Sequence, residues 1–540
     1  MSDAAAAEKL LSGEAWSECC RRLEALGRSL LGPEFPEDPR ERTEGFRALT
    51  RQLAFALQWE VLASDPRVPT FVRFPDPGVQ WGGPNPDNVY LRATIDPTAT
   101  YRVWGDVSGV RQALFSLHEG DMQLEQYGVY GERSLDELAK APDGRLELVL
   151  SPSEQPGNWI PMHPKARFFL IRVYLSDWER DVSPGFQIER VDLAGVPAPP
   201  LQPEALARSL DRAVTWVERS LAYWNRYTTE ACARAKPNQA SPARSAPGGA
   251  DNILYGSCFW DLAEDEALLL TCERPDADYW GFALHTLHWL ESGDFASRQT
   301  SLSGHQAHVD ADGRVRFVVA HRDPGVPNWL DTEGRRRGML AYRFVRARSG
   351  AVPETRVIAL AALRAALPAA HPSVAPEERR ACLARRREAY WARHHSGDAG
   401  ARRRVEDHKR VFAAYFEALG RADRAAMRAL VTDDLVWVVP PSAPVPFGGV
   451  HRGADAVIDL MLGAVSGVFE PGSQQTEFRV AVGEGDVVMA EARIRARAPQ
   501  GAYENWYCFV VELRGGRIAE IREHVDTITA ASFFAPAASG

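Results

Sequence analysis

The stretch that most constrains the fold of this chain lies near its end, where residues 502–526 predict two β-strands joined by a tight turn. The strands are expected at 506–513 and 518–526, with Gly515 and Gly516 between them. Two adjacent glycines supply the positive φ angles that a short hairpin loop needs. Apolar and polar residues roughly alternate along the second strand, so we expect one buried face and one wet face.

Size, charge and cysteine usage exclude several classes of protein. A chain of 540 residues is too long for one hydrophobic core, so two or three domains are expected. The net charge of −9 argues against a nucleic-acid partner. The 7 cysteines form no C-x-x-C pair, which is typical of a reducing compartment. Because no segment predicts a signal peptide or a bilayer span, we expect a soluble cytoplasmic protein without membrane insertion.

Changes of hydrophobic period divide the chain into three parts. Residues 1–65 carry apolar side chains at helical spacing and predict a helical segment. Residues 66–400 alternate short strand candidates with Pro- and Gly-rich turns, which predicts a β-rich domain with antiparallel sheet and flanking helices. After a linker at 394–400, residues 403–535 follow the order α-α-β-α-β-β-β-β. The fold class expected is α+β, and no internal repeat of fixed period is evident.

The C-terminal part resembles the nuclear transport factor 2-like superfamily, which includes ketosteroid isomerase, SnoaL-like polyketide cyclases and limonene epoxide hydrolase. The resemblance implies a cone-shaped α+β barrel of about 130 residues with an apolar pocket. The residues that carry it are Tyr415-x3-Leu419-x3-Asp423, Thr432-Asp433-Asp434-Leu435-Val436-Trp437, His451-Arg452-Gly453-Ala454-Asp455-Ala456-Val457, Gly516-Arg517-Ile518 and His524-Val525-Asp526.

Neither related enzyme's full set of catalytic residues is present. By this resemblance, Tyr415 occupies the position of the isomerase's oxyanion-hole tyrosine, whereas the isomerase's base position is Val439 and its protonated aspartate falls near Phe509. Asp526 falls where the epoxide hydrolase places a C-terminal aspartate. The hydrolase's Arg-x-Asp would lie at Arg493, but its aspartate is absent.

The larger part, over roughly residues 70–360, resembles the domain of unknown function 1214 family, which implies a β-rich domain and no defined activity. The matching words are Asn85-Pro86-Asp87-Asn88-Val89-Tyr90, Asn158-Trp159-Ile160, Ala166-Arg167-Phe168-Phe169-Leu170, Asp177-Trp178, Tyr279-Trp280, Arg298-Gln299-Thr300-Ser301-Leu302 and Asp323-Pro324-Gly325-Val326-Pro327-Asn328-Trp329-Leu330-Asp331.

Three residues of the C-terminal part are the predicted catalytic set. Asp526 and His524 share a face of the last strand, and a carboxylate inside the cone would have a raised pKa and act as a general base. Tyr415 would donate to an oxyanion. The alternative is a polar pair at the cavity rim. The predicted substrate-binding residues of this part, for which the alternative is plain core, are Trp437, His451, Arg493 and Trp506.

Further candidates lie in the N-terminal part. The dipeptide Asn-Trp occurs twice in Pro-containing loops that could frame a sugar-like or aromatic ligand, or simply cap turns. The predicted binding residues are Asn158, Trp159, Arg298, Asn328 and Trp329. Four histidines in one short region suggest a metal site. The two members of each neighbouring pair, however, would point to opposite faces of a strand. We therefore predict no metal and no cofactor. The four histidines are His285, His288, His305 and His308.

The chain lacks a G-x-S-x-G elbow, a P-loop and an H-E-x-x-H motif. We therefore expect a cofactor-independent isomerase, cyclase or hydratase that acts on a lipophilic cyclic substrate such as a steroid, terpenoid or polyketide in the C-terminal pocket. The alternative is a non-catalytic module that binds a ligand or dimerises through its sheet, with any chemistry in the N-terminal domain. A homodimer is expected in either case.

Overall fold

The structure is a computed structural model in which the chain forms two compact units, Met1–Gly397 and Asp398–Gly540. It describes residues 1–74, 78–142, 144–179, 181, 183–245, 252–348, 352–395, 399–470 and 472–534. The predicted linker at 394–400 falls at the boundary of the units, and its residues 396–398 lie outside the described residues. The prediction of a mixed α+β chain is confirmed.

Four helices pack together at one side of the first unit. They are α1 (Asp3–Leu11), α2 (Glu14–Ser29), α3 (Pro39–Leu57) and α4 (Pro203–Arg234). Helix α3 begins where the Asp38 side chain accepts hydrogen bonds from the backbone N–H groups of Arg40 and Glu41, with proline at the first helical position. Buried indoles, among them Trp59 and Trp216, form much of the core under these helices. The N-terminal helices are therefore part of the first unit's core.

The strands of the first unit form two sets of eight, preceded by the edge strand β1 (Val72–Phe74). The first set is β2 (Asn88–Thr94), β3 (Tyr101–Asp106), β4 (Gln112–His118), β5 (Val129–Ser134), β6 (Arg145–Ser151), β7 (Trp159–Pro161), β8 (Phe168–Tyr174) and β9 (Phe186–Arg190). The second set is β10 (Ile253–Asp261), β11 (Glu266–Glu273), β12 (Tyr279–His285), β13 (Ser301–Ser303), β14 (Arg314–Ala320), β15 (Trp329–Asp331), β16 (Arg337–Val345) and β17 (Glu354–Ala359).

The two sets have the same topology. The first forms sheets of order β1-β2-β8-β4-β5 and β7-β6-β3-β9, and the second forms sheets of order β10-β16-β12-β13 and β15-β14-β11-β17. Taking the strands of each set in chain order, every neighbour in the first set has its counterpart in the second, and both contain one parallel pair, β6 with β7 and β14 with β15. The first unit is therefore an internal duplication of an eight-stranded, two-sheet module.

The lack of a repeat of fixed period in the sequence therefore does not extend to the structure, which contains a repeated module. Corresponding strands lie about 170 residues apart, as the starts of β7 at Trp159 and β15 at Trp329 illustrate. Repeats that long are structural modules with their own cores, and they keep strand order and inward-facing hydrophobic character rather than a short sequence period. Two further helices complete the described part of this unit, the short α5 (Leu363–Ala366) and the long, Arg-rich α6 (Pro376–His395).

The second unit is built on one strongly curved sheet. Its elements are α7 (Ala399–Gly420), α8 (Arg424–Ala429), β18 (Val431–Val439), β19 (Gly449–Arg452), α9 (Ala454–Val468), β20 (Gln475–Glu484), β21 (Val487–Ala498), β22 (Gly501–Arg514), β23 (Arg517–Val525) and α10 (Thr527–Phe534). The sheet order is β19-β18-β23-β22-β21-β20, and among these described strands the pair β18 with β23 is parallel while the other neighbours are antiparallel. The observed order adds one short strand and a final helix to the predicted one.

The predicted closing hairpin is present. Strands β22 and β23 pair antiparallel, with Arg514 opposite Arg517 and a turn of Gly515 and Gly516 whose φ angles are 58° and 73°. One face of each long strand is buried against α7 and α9, so that this face and the helices enclose the core of the unit. Among the described residues, no helix combines the length and the apolar character needed to cross a membrane.

Candidate active site in the C-terminal unit

The concave face of the sheet and the helices of the second unit enclose an apolar cavity of about 110 Å³. Its apolar walls come mainly from α7, β18, the loop after β18, α9 and β22. Their side chains are Phe416, Leu419, Trp437, Val439, Ala443, Pro444, Phe447, Met461, Ile494 and Phe509. The polar side chains that line the cavity are Gln474, Tyr503, Tyr507 and Glu523.

Glu523 is the carboxylate of this cavity. On β23 it lies two residues after Ile521, which is fully buried, and so the two side chains share the inner face of the sheet. The indole N–H of Trp437 donates a 3.0 Å hydrogen bond to Glu523 Oε2. Desolvation raises the pKa of Glu523 to about 7, against the opposing effect of the Trp437 hydrogen bond. At neutral pH both the acid and the base form are populated, as proton transfer requires.

Two tyrosines supply hydroxyl groups beside this carboxylate. The hydroxyls of Tyr503 and Tyr507 lie 2.7 Å apart, and the Asn505 amide donates to Tyr503 at 3.0 Å. Burial raises the pKa of Tyr507 well above its usual value, and the charges of Tyr503 and Glu523 raise it further. Both hydroxyls are therefore protonated at neutral pH. Their mutual contact uses one O–H proton and leaves the other to be donated elsewhere.

The interior position expected for Asp526 is wrong, because its side chain caps the final helix. Asp526 Oδ1 accepts from the backbone N–H groups of Ile528 (3.0 Å) and Thr529 (3.2 Å), and Oδ2 accepts from the Thr529 hydroxyl. These hydrogen bonds lower the pKa of Asp526. His524 is also exposed, since it alternates with the inward-facing Glu523. Neither residue lines the cavity.

Tyr415 is fully buried but does not line the cavity. Its hydroxyl has no hydrogen-bond partner in the described parts of the chain, and burial raises its pKa. Its ring lies 6.1 Å from that of Trp437, which does line the cavity. His451 lies on β19 opposite Trp437, and its Nε2 is 2.7 Å from the Phe447 carbonyl oxygen. His451 therefore fixes the loop that forms one cavity wall.

Arg493 and Trp506 belong to the outer face of the sheet. They are cross-strand neighbours on β21 and β22, with the guanidinium 5.5 Å from the indole ring, and Arg493 pairs with Glu504. On β21 the inner face carries Ala490, Ala492 and Ile494, so Arg493 must point away from the cavity. The expectation that these two residues line the pocket is wrong.

The two Asn-Trp loops of the first unit are equivalent positions of the duplication, and both hold the chain in place. Asn158 accepts from Ala139 N–H and donates to the Ala139 carbonyl, and Asn328 makes the same pair of bonds with the backbone of His308. The indole N–H of Trp159 donates to the Ser151 carbonyl. That of Trp329 donates to the Ala320 carbonyl. The polar groups of these four side chains therefore form hydrogen bonds with backbone groups.

The remaining N-terminal candidates are also dispersed. Arg298 pairs with Asp331 at 2.8 Å. The four histidines have four different partners: His285 the Pro84 carbonyl, His288 Glu41, His305 Asp177 and His308 Asp310. Within the described ranges, His308, Asp310 and His371 form the one group with metal-ligand spacing. Arg316 already pairs with Asp310 at 2.6 Å in that group, which works against a bound cation.

Sequence reasoning missed Glu523, Tyr503 and Tyr507, although a signal for Glu523 exists. The apolar register of β23 runs through Ile521 and Val525, and Glu523 stands between them on the same face. A carboxylate in an apolar register is the anomaly that marks a functional site. The tyrosines carry no such signal, since aromatic residues at strand positions are ordinary core.

A curved sheet wrapped on helices around an apolar cavity with one buried carboxylate defines the second unit as a cone-shaped, nuclear transport factor 2-like α+β domain. The family model for the SnoaL-like domain matches residues 412–521. The family model described as protein of unknown function (DUF1214) matches residues 118–177. The chain therefore contains a DUF1214 region in its first unit and a C-terminal SnoaL-like domain in its second.

Three solved structures illustrate what parts of this chain are similar to. An uncharacterized protein from Burkholderia cenocepacia is 35% identical over 66% of this chain and 99% of its own, with a TM-score of 0.62. A nuclear transport factor 2-like protein from Burkholderia xenovorans is 22% identical over 24% of this chain and 95% of its own, with a TM-score of 0.21. An LEH-like epoxide hydrolase from M. tuberculosis is 22% identical over 24% and 88%, with a TM-score of 0.20. No curated protein matches the chain.

Proposed function

We propose that the C-terminal unit is a cofactor-independent enzyme that moves a proton on a small lipophilic cyclic substrate, with Glu523 as general base. The observation that carries this proposal is the position of Glu523: a carboxylate with a pKa of about 7 at the wall of an otherwise apolar cavity. Isomerisation, cyclisation and water addition all begin or end with such a proton transfer.

Each polar group of the cavity has a role in this proposal. Glu523 removes a proton from a carbon next to a substrate carbonyl, and the electron pair moves toward the carbonyl oxygen. Tyr507 donates to that oxygen as its negative charge develops, while Tyr503 and Asn505 fix the Tyr507 hydroxyl. Trp437 holds the carboxylate in one orientation. Glu523 then returns the proton to a second carbon or to the same one.

The size of the cavity narrows the substrate class. Its volume of about 110 Å³ lies below the roughly 300 Å³ at which typical ligand pockets begin. A single-ring ketone of monoterpene size is therefore favoured over a steroid or a fused polyketide. The surrounding aromatic rings of Phe416, Trp437 and Phe509 would pack on such a ring.

The test is exchange of α-protons for deuterium, which detects a general base before the natural substrate is known. The full-length protein in D₂O is incubated with cyclohexanone, menthone and β-tetralone, and exchange is followed by proton NMR. We expect exchange of at least one ketone to be accelerated, with a rate that rises with pH through about 7 as Glu523 loses its proton. Glu523→Gln should lower that rate roughly 10²–10⁴-fold.

Two further variants make the assignment specific. Tyr507→Phe removes the proposed oxyanion donor and should cost roughly 10²-fold or more. Asp526→Asn, which alters an exposed helix cap, should leave exchange unchanged. Equal exchange with the original protein and with Glu523→Gln for every ketone would exclude Glu523 as the base.

A second function is favoured by the outer face of the same sheet. We propose that two copies of the chain associate through it. Four apolar side chains of β20, β21 and β22 are exposed there: Val480, Val482, Met489 and Trp506. The ion pairs of Glu504 with Arg493 and Arg495 lie beside them. An apolar centre with paired charges around it suits a self-complementary interface.

Light scattering coupled to size exclusion measures this association. We expect a dimer for the full-length protein and a monomer for Trp506→Glu, because a carboxylate in the centre of the interface would be buried without a partner. Trp391→Glu is the matched control, since Trp391 is 47% exposed and Trp506 is 46% exposed. A monomeric original protein, or an unaltered Trp506→Glu dimer, would rule out this interface.

A further inference from the structure

A cavity of about 710 Å³ lies in the first unit, between the two repeated modules. One wall comes from β2 and β8 of the first module and the opposite wall from β10 and β16 of the second. Helix α4 contributes Trp224 and Tyr227. The duplication therefore creates this cavity, and the proposed function of the C-terminal unit leaves it unused.

The duplication also repeats one pair of side chains in the cavity. Tyr90 on β2 lies opposite Arg172 on β8, and Tyr255 on β10 lies opposite Arg343 on β16. All four line the cavity. Burial raises the pKa of Tyr255, and the charges of Arg172 and Arg343 both oppose that rise. The two guanidinium groups, one from each module, therefore act on the same hydroxyl.

Neither arginine is neutralised by a carboxylate. Arg172 is buried, has no ion pair or hydrogen bond to any described residue, and leaves its Nη1 without a partner. The charges of Glu132 and the neighbouring tyrosines raise the pKa of Arg172 against the opposing effect of burial, so that it stays a cation. Arg343 donates to the Gly83 carbonyl and lies 5.9 Å from the Tyr255 ring centre, and no described carboxylate pairs with it.

The other charges of the cavity do not compensate these two. Asp121 is the carboxylate among the described lining residues, and Arg92 binds both of its oxygens at 3.0 and 3.2 Å. The Trp216 indole also donates to Asp121. Arg244, a further lining residue, adds another positive charge. The cavity therefore has an excess of cationic groups.

We propose that this cavity binds a small organic anion with an apolar body. Cations that line a cavity without a paired carboxylate favour an anionic ligand, and a carboxylate or phosphate supplied by a ligand would form charge-assisted hydrogen bonds to Arg172 and Arg343. The apolar body packs against aromatic rings that line the same cavity, Phe74, Trp81, Phe168 and Trp224. The tyrosines of the two repeated pairs donate further hydrogen bonds to the anionic group.

The test is isothermal titration calorimetry of the full-length protein with three matched probes: naphthoate, naphthyl phosphate and the neutral naphthamide. We expect at least one of the two anions to bind and naphthamide to bind at least tenfold more weakly, because it has the same ring and no charge. Tighter binding of naphthoate identifies a carboxylate ligand, and tighter binding of naphthyl phosphate identifies a phosphate monoester.

Variants assign the binding to the repeated arginines. Arg172→Met and Arg343→Met should each weaken anion binding at least tenfold, whereas Arg356→Met, at an exposed position of β17, should not change it. If Arg172→Met does not fold, Arg343→Met provides the same test.

Three results would overturn the proposal. They are binding of naphthamide as tight as that of the anions, anion binding unchanged in both arginine variants, and absence of binding by both anions. Because these residues belong to the first unit, each result is independent of the exchange measurements on Glu523.

Discussion

Replacing Glu523 with glutamine is expected to stabilise the C-terminal unit at about pH 8 by as much as about 3 kcal/mol. Burial shifts the Glu523 pKa from 4.5 to about 7, so the folded state resists ionisation of this side chain. Glutamine has the shape of the protonated acid, keeps an oxygen to accept the Trp437 N–H, and never ionises. The variant should therefore be more stable and, by the proposed mechanism, inactive.

The sign of the effect fixes its pH window. Below pH 4.5 the carboxyl is protonated in both the folded and the unfolded chain, and it contributes no pH dependence. Between 4.5 and about 7 the folded chain binds more protons than the unfolded chain, so the free energy of unfolding falls as pH rises. Above about pH 7 the destabilisation of the folded state by the ionised Glu523 carboxylate is at its maximum. The advantage of Glu523→Gln should therefore grow from near zero to its maximum across this window.

Urea unfolding of the full-length chain at a series of pH values measures this effect. Pulsed hydrogen exchange at one fixed pH, read in peptides from β18 and β23, restricts the signal to the C-terminal unit. Glu520→Gln is the control, because Glu520 lies on the same strand but pairs with Arg522. A stability difference that stays constant with pH, or that appears equally in Glu520→Gln, would show that Glu523 titrates normally.

The second large effect is expected at Asn328, and the duplication provides its own control. Asn328 is 1% exposed, and its side chain bonds both the N–H and the C=O of His308. Asn328→Ala leaves these two backbone groups buried without partners and should lower the free energy of unfolding by about 2–4 kcal/mol. Asn158→Ala removes the equivalent pair of bonds and a third one, to the Glu147 carbonyl, at a half-exposed site where water replaces them, and should cost only about 1 kcal/mol.

Urea unfolding of both variants tests this difference, with exchange read in peptides from β6 and β14. Equal losses at the two positions would mean that burial does not determine the cost. Asn328→Asp separates hydrogen bonding from volume, because the aspartate oxygen still accepts from His308 N–H while the donor to the His308 carbonyl is lost. The Asn328→Asp variant should therefore have a lower free energy of unfolding than the original protein, even though aspartate and asparagine are the same size.

The two cavities of this protein form in different ways, and the cavity of the first unit depends on the duplication. Each module supplies one Tyr-Arg pair on two neighbouring strands, and only the pairing of the two modules brings Arg172 and Arg343 to one cavity. Binding sites that form at interfaces between modules are common, because two rigid walls define their shape. In the C-terminal unit, by contrast, the curvature of one sheet provides the cavity.

Much of the fold was accessible from the sequence. The Gly515-Gly516 turn with its flanking alternation fixed a hairpin, and the order of helical and strand patterns fixed an α+β domain, because these signals depend on neighbours in the chain. The motif resemblances located both families, and the structure and the family models confirm them.

The identity of the site residues was decided by tertiary structure. A strand places successive side chains on opposite faces, so a shift of one residue separates Glu523, inside the cavity, from His524 outside it, and the sequence alone does not say which face is concave. Asp526 follows the last residue of the strand, and its side chain caps the start of helix α10. The duplication and the arginine-lined cavity likewise arise from contacts between residues more than 150 positions apart, such as Tyr90 and Tyr255, which no local pattern encodes.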